Sequence, residues 1–170
     1  MHIVRIGGAA SEQRSADLIG AKAANLARMA ALGLPVPPAF VLPVKLCADI
    51  IDNKAHAEQH LRDGLTAGIA YLEQATGKIF GDHRRPLLVS VRSGAARSMP
   101  GMLDTVLNVG CTSAVVQGLI RATGRPRLAW DCRRRFIESF SETVLGLAPA
   151  PLATRLAEII AGEDVATDRE

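Results

Sequence analysis

The stretch LLVSVRSGA, residues 87–95, predicts more of the fold than any other part of this 170-residue chain. Residues 87–91 are mostly apolar and rich in β-branched side chains, and Pro86 and residues 92–94 bound them, which is typical of a buried strand. An arginine that leaves a buried strand is held at its base, so the guanidinium of Arg92 can face a phosphate group.

Residues 95–104, after this strand, are predicted to form a loop that carries glycine and methionine. Two glycines, two serines and a threonine in residues 93–105 offer donors to phosphate oxygens, and Met99 and Met102 offer adaptable apolar surface to an adenine ring. The alternative is an ordinary surface loop with buried methionines. From the residues alone, the two interpretations are equally supported.

Around this strand, helical and extended patterns are mixed without strict alternation, which predicts an α/β class or a mixed α+β class. Gly33 is a natural helix stop. Three prolines make residues 34–38 an extended connector. Helices are predicted at residues 18–32, 45–78 (one or two), 112–122, 125–145 and 152–161, and further strands at 3–6 and 39–44.

The composition is that of a domain able to bury a core, since 48% of residues are apolar. A net charge of +3 is too small to indicate a nucleic-acid or membrane partner. No apolar run has the length of a signal peptide or membrane span, so we expect a soluble, cytoplasmic protein. The odd cysteine count argues against disulfides and zinc, and predicts reduced, mostly buried thiols at Cys47, Cys111 and Cys132.

A second candidate anion site is the segment GAKAANL, residues 20–26. A helix start offers free N–H groups and a partial positive charge, and Lys22 adds a full charge among small residues. From composition alone, a surface lysine on an alanine-rich helix is the favoured interpretation.

Four motifs and one short run resemble the N-terminal nucleotide-binding domain of the pyruvate, phosphate dikinase family and, more distantly, the phosphoenolpyruvate synthases. The family pattern is close to GGKGANLAEM, GLPVPPGF, LLVSVRSGA and SMPGMMDTVLNLG. This chain has GAKAANLARM at 20–29, GLPVPPAF at 33–40, LLVSVRSGA at 87–95, SMPGMLDTVLNVG at 98–110 and RRFI at 134–137. We therefore predict a dikinase-like nucleotide-binding lobe at residues 1–147, followed by a C-terminal helix and frayed tail at 148–170.

The resemblance implies a partial ATP-grasp fold that binds ATP with Mg²⁺ and a monovalent cation. It implies that Lys22 and Arg92 contact ATP phosphates, with Arg92 catalytic, and that residues 98–105 close over the nucleotide. The predicted ATP-binding residues of that segment are Ser98, Met99, Gly101, Met102, Asp104 and Thr105. The family converts ATP, phosphate and pyruvate to AMP, pyrophosphate and phosphoenolpyruvate through a phosphohistidine.

The chain departs from the family at two glycines and in length. Ala21 and Ala23 replace glycines, and alanine resists positive φ, so we expect weaker nucleotide binding. Family enzymes are several-fold longer. The second ATP-grasp lobe, the phosphohistidine domain and the pyruvate barrel have no counterpart here, so the Mg²⁺ ligands are expected from a missing lobe or partner, and no metal ligand is assigned.

Two functional hypotheses therefore stay open. In the first, the chain is the ATP-binding lobe of a dikinase-like phosphotransferase and works with a partner chain that carries the remaining domains. In the second, it is a noncatalytic nucleotide-sensing or regulatory docking module. A degraded gene or a truncated protein is a further possibility. Half a cleft also leaves apolar surface, which predicts a possible homodimer.

Two other features are interpreted as surface. His56 and His60 are four residues apart on a predicted helix, but no third metal ligand is near them in sequence, so a solvated face is favoured. The arginines around residues 121–135 are interpreted as a charged helix face, because one Trp and one Tyr leave little for stacking on nucleic-acid bases.

Overall fold

The computed structural model describes residues 3–7, 14–93 and 105–162. The chain forms two compact units, Met1–Lys78 with Ser93–Leu103 and Ile79–Arg92 with Asp104–Glu170. Helices and short two-stranded sheets occur in both units, so the class is the mixed one that the sequence predicts. The boundary predicted after residue 147 stays a prediction. Among the described residues, no helix combines the length and the apolar character needed to cross a bilayer.

The first unit is built around a short antiparallel strand pair. Its described elements are β1 (Val4–Ile6), α1 (Ala16–Ile19), α2 (Ala21–Ala31), β2 (Ala39–Val41), α3 (Val44–Ile51) and α4 (Ala57–Thr76). Val4 lies opposite Val41, and Ile6 lies opposite Ala39. Val4 and Ile6 are buried while Arg5 between them is exposed, as strand alternation requires.

The helix predicted at residues 18–32 is interrupted at Gly20, so that prediction is wrong near its start. Gly20 has φ 84° and ψ 152°, a conformation that glycine adopts readily and other residues do not. It ends α1 and caps the N-terminus of α2. The sequence hid this break because apolar residues before it and the alanine-rich run after it continue a helical pattern.

Helix α4 docks on the strand pair through Gly68 and Tyr71. Gly68 lies so close to Phe40 of β2 that a Cβ atom would overlap the phenyl ring. The Tyr71 hydroxyl donates to the carbonyl oxygens of Ile6, at 3.1 Å, and Gly7, at 2.7 Å. Burial raises the pKa of Tyr71, and the Arg5 guanidinium, 5.6 Å from the ring centroid, opposes that rise.

The proline connector at residues 34–38 is neither helix nor strand, as predicted. The backbone of Gly7 approaches it closely, because a Cβ atom there would lie 3.1 Å from the Pro37 carbonyl oxygen. The strand predicted at residues 39–44 is too long. It ends at Val41, and Pro43 caps α3, which begins at Val44.

The second unit packs two strand pairs with helices. Its described elements are β3 (Ile79–Phe80), β4 (Pro86–Leu87), β5 (Val89–Arg92), β6 (Thr105–Val109), α5 (Ser113–Thr123), α6 (Pro126–Thr143) and α7 (Ala150–Gly162). β3 and β4 pair in parallel. β5 and β6 pair antiparallel, with an irregularity between Val89 and Val91. Pro126 begins α6, where a missing N–H breaks no helical bond.

The strand predicted at residues 87–91 is split and only partly buried. Leu87 is buried in β4, whereas β5 begins at Val89 and Val91 is 53% exposed. Arg92 is the last residue of β5, so it does not leave a buried strand. One face of a two-stranded sheet can stay open to solvent. The run of apolar residues did not reveal this exposure, because such a run is also typical of a strand buried on both faces.

The core of the second unit is formed by Cys111, Val116 and Ala129. Burial raises the pKa of the Cys111 and Cys132 thiols, which keeps both protonated near neutral pH. All three cysteines are free, as predicted. Cys47 is exposed, however, so the expectation of burial is wrong for it.

The turn between β3 and β4 is fixed on α5. The Asp82 carboxylate accepts hydrogen bonds from the backbone N–H groups of Arg85 and Arg84, both at 2.6 Å, and these lower its pKa. Arg121 donates to the His83 carbonyl oxygen at 2.9 Å. Gly118 of α5 approaches so closely that a Cβ atom would overlap that carbonyl.

Candidate functional site

Arg92 and Thr105 lie opposite each other where β5 ends and β6 begins. They are direct antiparallel partners. In such pairs the Cβ atoms are about 4.5–5.5 Å apart and the side chains share one face of the sheet. Residues 93–104, which contain most of the predicted nucleotide-covering segment, connect these two positions. Arg92 and Thr105 therefore form the base of that segment.

The face shared by Arg92 and Thr105 is opposite the one that carries the buried Val106. Val106 is 7% exposed, and alternation along β6 turns Thr105 to the other side. Arg92 is exposed and Thr105 partly buried. Among the described residues, the Arg92 guanidinium has neither a carboxylate nor a hydrogen-bond partner. A guanidinium carries only donors, so it suits an anionic ligand.

Two polar contacts hold β6 on α6, and sequence reasoning missed both. The backbone N–H of Leu107 donates to Ser139 Oγ at 3.1 Å. Asn108 Nδ2 donates to the Cys132 carbonyl oxygen at 3.1 Å. Asn108 has φ 53°, a left-handed conformation that asparagine tolerates better than most residues. These contacts orient the strand that carries Thr105. An asparagine two residues before Gly110 was the available signal.

Three arginines of α6, Arg133, Arg134 and Arg135, are engaged within the second unit. Arg133 donates to the Cys111 carbonyl oxygen at 2.8 Å. The others pair with carboxylates of the same helix, in the contacts Arg134–Asp131, Arg134–Glu138 and Arg135–Asp131. Partial burial raises the pKa of Asp131, but hydrogen bonds from Arg134 and Arg135 lower it overall. The predicted charged helix face is confirmed for Arg134 and Arg135.

Lys22 lies in the first turn of α2, in the first unit. The N–H groups of residues 21–23 precede the first helical bond, from Ala24 N–H to the Gly20 carbonyl oxygen at 3.0 Å, and no described side chain caps them. The Lys22 ammonium has no partner among the described residues. Positive φ falls on Gly20 and not on Ala21 or Ala23, so the expectation that these alanines restrict the backbone is wrong.

The remaining predicted site residues lie outside the described part of the chain. They are Ser98, Met99, Gly101, Met102 and Asp104. His56 and His60 are exposed, which confirms the solvated face. Within the described residues, no three His, Cys, Asp or Glu side chains are grouped as metal ligands would be.

Sequence comparison relates the chain to one group of curated proteins. It is 44% identical to a protein of Clostridium symbiosum named pyruvate, phosphate dikinase, over an alignment of 129 residues that covers 76% of the chain. Over 141 residues, or 83% of the chain, it is 44% identical to the dikinase of Rhizobium meliloti. The chain belongs with the pyruvate, phosphate dikinases. A chloroplastic dikinase of Mesembryanthemum crystallinum is 39% identical over 154 residues, 91% of the chain.

The match covers a small part of each dikinase. The aligned residues make up 15% of the Clostridium protein and 16% of the other two. The chain therefore spans roughly one sixth of the length of these dikinases. No family model matches it. The resemblance inferred from the motifs is confirmed at the level of the dikinase family.

Proposed function

We propose that this chain is the ATP-binding lobe of a dikinase-like phosphotransferase, with a partial ATP-grasp fold. Lys22 and Arg92 contact the ATP phosphates, and residues 98–105 cover the nucleotide. One observation carries the proposal: Arg92 and Thr105 are paired at the base of the segment that resembles the family's nucleotide-covering motif, and the arginine has no carboxylate partner among the described residues.

The chemistry of Arg92 and Thr105 suits a phosphoryl group. A guanidinium presents its donors as a rigid fork that matches two phosphate oxygens. The Thr105 hydroxyl adds a neutral donor on the same face of the strand pair. Arg92 acts as the catalytic residue of the lobe by stabilising negative charge on the transferring phosphoryl group.

Lys22 contributes a second cation from the start of α2. The free N–H groups of residues 21–23 and the helix dipole favour an anion at this end of the helix. Since Gly20 provides the positive φ, Ala21 and Ala23 leave this backbone arrangement intact.

Mg²⁺ would neutralise phosphate charge when the nucleotide is bound. Arg92 and Lys22 carry only donors, so they fit phosphate oxygens and not a metal ion. The Mg²⁺ carboxylates are expected from a further lobe or a partner chain. The lobe alone is therefore an incomplete catalyst, and the reaction with phosphate and pyruvate needs the remaining dikinase domains.

The decisive experiment is calorimetric titration of the purified chain with ATP and Mg²⁺. Lys22→Ala and Arg92→Ala should each weaken binding about tenfold or more, since a hydrogen bond to a charged group contributes roughly 1.5–3 kcal/mol. Thr105→Val keeps the β-branched shape but loses the hydroxyl, so it should have a smaller effect. Matched controls are Lys78→Ala and Arg127→Ala, which should bind like the parent. Both residues are exposed, and their charged groups have no partner among the described residues.

Binding that is lost in both site variants and kept in both controls supports the proposed site. Equal weakening in site and control variants would mean that general positive charge attracts ATP. If the parent does not bind ATP, the proposal that the chain is an ATP-binding lobe is wrong, and a noncatalytic docking module is favoured. Turnover of ATP to AMP by the chain alone would instead contradict an incomplete site.

A further inference from the structure

The turn between β3 and β4 brings two arginines next to two others that are distant in sequence. Arg84 and Arg85 lie on the turn itself. Arg121, in the last turn of α5, donates to the carbonyl oxygen of His83 at 2.9 Å, so its guanidinium lies beside the backbone of Arg84. Arg125, the N-cap of α6, follows directly after the residue that ends α5. We call Arg84, Arg85, Arg121 and Arg125 the arginine cluster.

The backbone that carries the arginine cluster is fixed at several points. The Asp82 carboxylate binds the N–H groups of both turn arginines at 2.6 Å. Gly118 of α5 lies so close to the His83 carbonyl that a Cβ atom would overlap it. The N–H of Arg125 donates to Thr123 Oγ1 at 3.2 Å. The four backbones therefore cannot move apart, and only rotation of the side chains can reduce the repulsion between their charges.

The positive charge of the arginine cluster is not compensated within the described residues. All four side chains are exposed, and none of them forms an ion pair with a described carboxylate. Asp82 offsets one charge, but residues 105–130 contain neither Asp nor Glu. By contrast, Arg134 and Arg135 of α6 bind carboxylates of their own helix. Concentrated charge of one sign destabilises a fold by self-repulsion and attracts ligands of the opposite sign.

We propose that the arginine cluster binds an acidic segment of a partner polypeptide. Each guanidinium presents a planar fork of donors that matches the two oxygens of a carboxylate. Because the backbone is already fixed, binding orders only side chains, which lowers its entropic cost. Consecutive carboxylates of an acidic segment would replace the repulsion between the arginines with complementary contacts.

Two other kinds of ligand fit the cluster less well. Small ligands bind in concave sites, whereas these arginines are exposed on a turn and at helix ends. Proteins that bind single-stranded nucleic acids place aromatic rings among their basic residues so that bases can stack. Residues 81–129 contain no Phe, Tyr or Trp. Carboxylates on a polypeptide are therefore the favoured partner.

The test is fluorescence anisotropy of a labelled oligoglutamate peptide titrated with the chain at low salt and without nucleotide. Arg84→Gln combined with Arg85→Gln removes two charges but keeps the N–H groups that bind Asp82. We expect the dissociation constant to rise about three- to tenfold, since exposed ion pairs are individually weak. The matched control combines Arg28→Gln with Arg62→Gln, two exposed arginines of the first unit, and should bind like the parent.

A parent that does not bind oligoglutamate at low salt would overturn the proposal. Equal weakening in the control would also overturn it, because general positive charge would then explain the binding. A labelled oligouridylate that binds more tightly than oligoglutamate, and loses affinity in the same variant, would assign the cluster to nucleic acid instead. Circular dichroism checks folding. If the turn variant misfolds, Arg125→Gln, outside the turn, decides the question by the same titration.

Discussion

Lys22 and Arg92 occupy positions that are built in two different ways. Lys22 lies at a helix start that Gly20, two residues earlier, creates. Arg92 lies opposite Thr105 on a strand pair that is anchored to α6 through residues 132 and 139. The first position depends on local backbone conformation, while the second depends on contacts between distant parts of the second unit. Disturbing the packing of a unit should therefore affect Arg92 more than Lys22.

The two units can be followed separately because each contains one fluorescent side chain. Trp130, the single tryptophan, lies in the second unit, and Tyr71, the single tyrosine, lies in the first. Unfolding monitored at each chromophore reports the stability of the unit that contains it.

The largest effect is expected from Gly118→Ala in the second unit. The new Cβ would overlap the backbone carbonyl of His83, which cannot rotate away as a side chain can. We expect a loss of about 2–3 kcal/mol in the free energy of unfolding, measured by urea denaturation with Trp130 fluorescence. Gly162→Ala is the control, because the space around Gly162 is open. Coincident Trp130 transitions in the two variants would contradict the close packing of the turn on α5.

A medium effect is expected from Asn108→Ala, which tests how β6 is held. Alanine loses the bond to the Cys132 carbonyl and must adopt φ 53°, so we expect a loss of about 2 kcal/mol. Asn108→Gly loses the bond but accepts the backbone conformation, so it should lose only about 1 kcal/mol. Urea denaturation measures both values. Equal losses would show that the left-handed conformation has no cost for alanine here.

The smallest effect is expected from Tyr71→Phe in the first unit, and it should depend on pH. Loss of the hydroxyl bonds to Ile6 and Gly7 should cost about 1 kcal/mol at neutral pH. Because folding raises the pKa of Tyr71, its stabilisation is complete below the unfolded pKa and is lost as pH rises through the folded pKa. The difference between parent and variant should therefore shrink in alkaline solution. Because the variant lacks the single tyrosine, urea denaturation is followed by circular dichroism at several pH values. A constant difference would contradict this linkage.

Local features of the sequence predicted much of the fold. Pro126 at the start of α6, the proline connector and the helices from residue 57 onward follow from propensity and turn chemistry. The sequence did not predict the break at Gly20 or the split of the strand at residues 87–91. The break depends on backbone angles, and the burial of a strand depends on which face another element covers. Such information is absent from one-dimensional periodicity.

The candidate site was predictable only as a set of residues. Motif resemblance selected Lys22 and Arg92, and the alignments with dikinases support the same family. The register of Arg92 with Thr105 was not predictable, since strand pairing depends on long-range contacts. Neither was the left-handed Asn108, because many asparagines occur in ordinary strands and turns.

The pairing of Arg92 with Thr105 determines when the entropy of closing the connecting segment is lost. Twelve residues, 93–104, join two positions that the strand register already holds together. The conformational entropy of closing this loop is therefore lost when the strands pair, before any ligand binds. Closure entropy grows only with the logarithm of loop length, about 0.6 kcal/mol for each doubling. The length or composition of residues 93–104 can thus change at little cost to the pairing of the two strands.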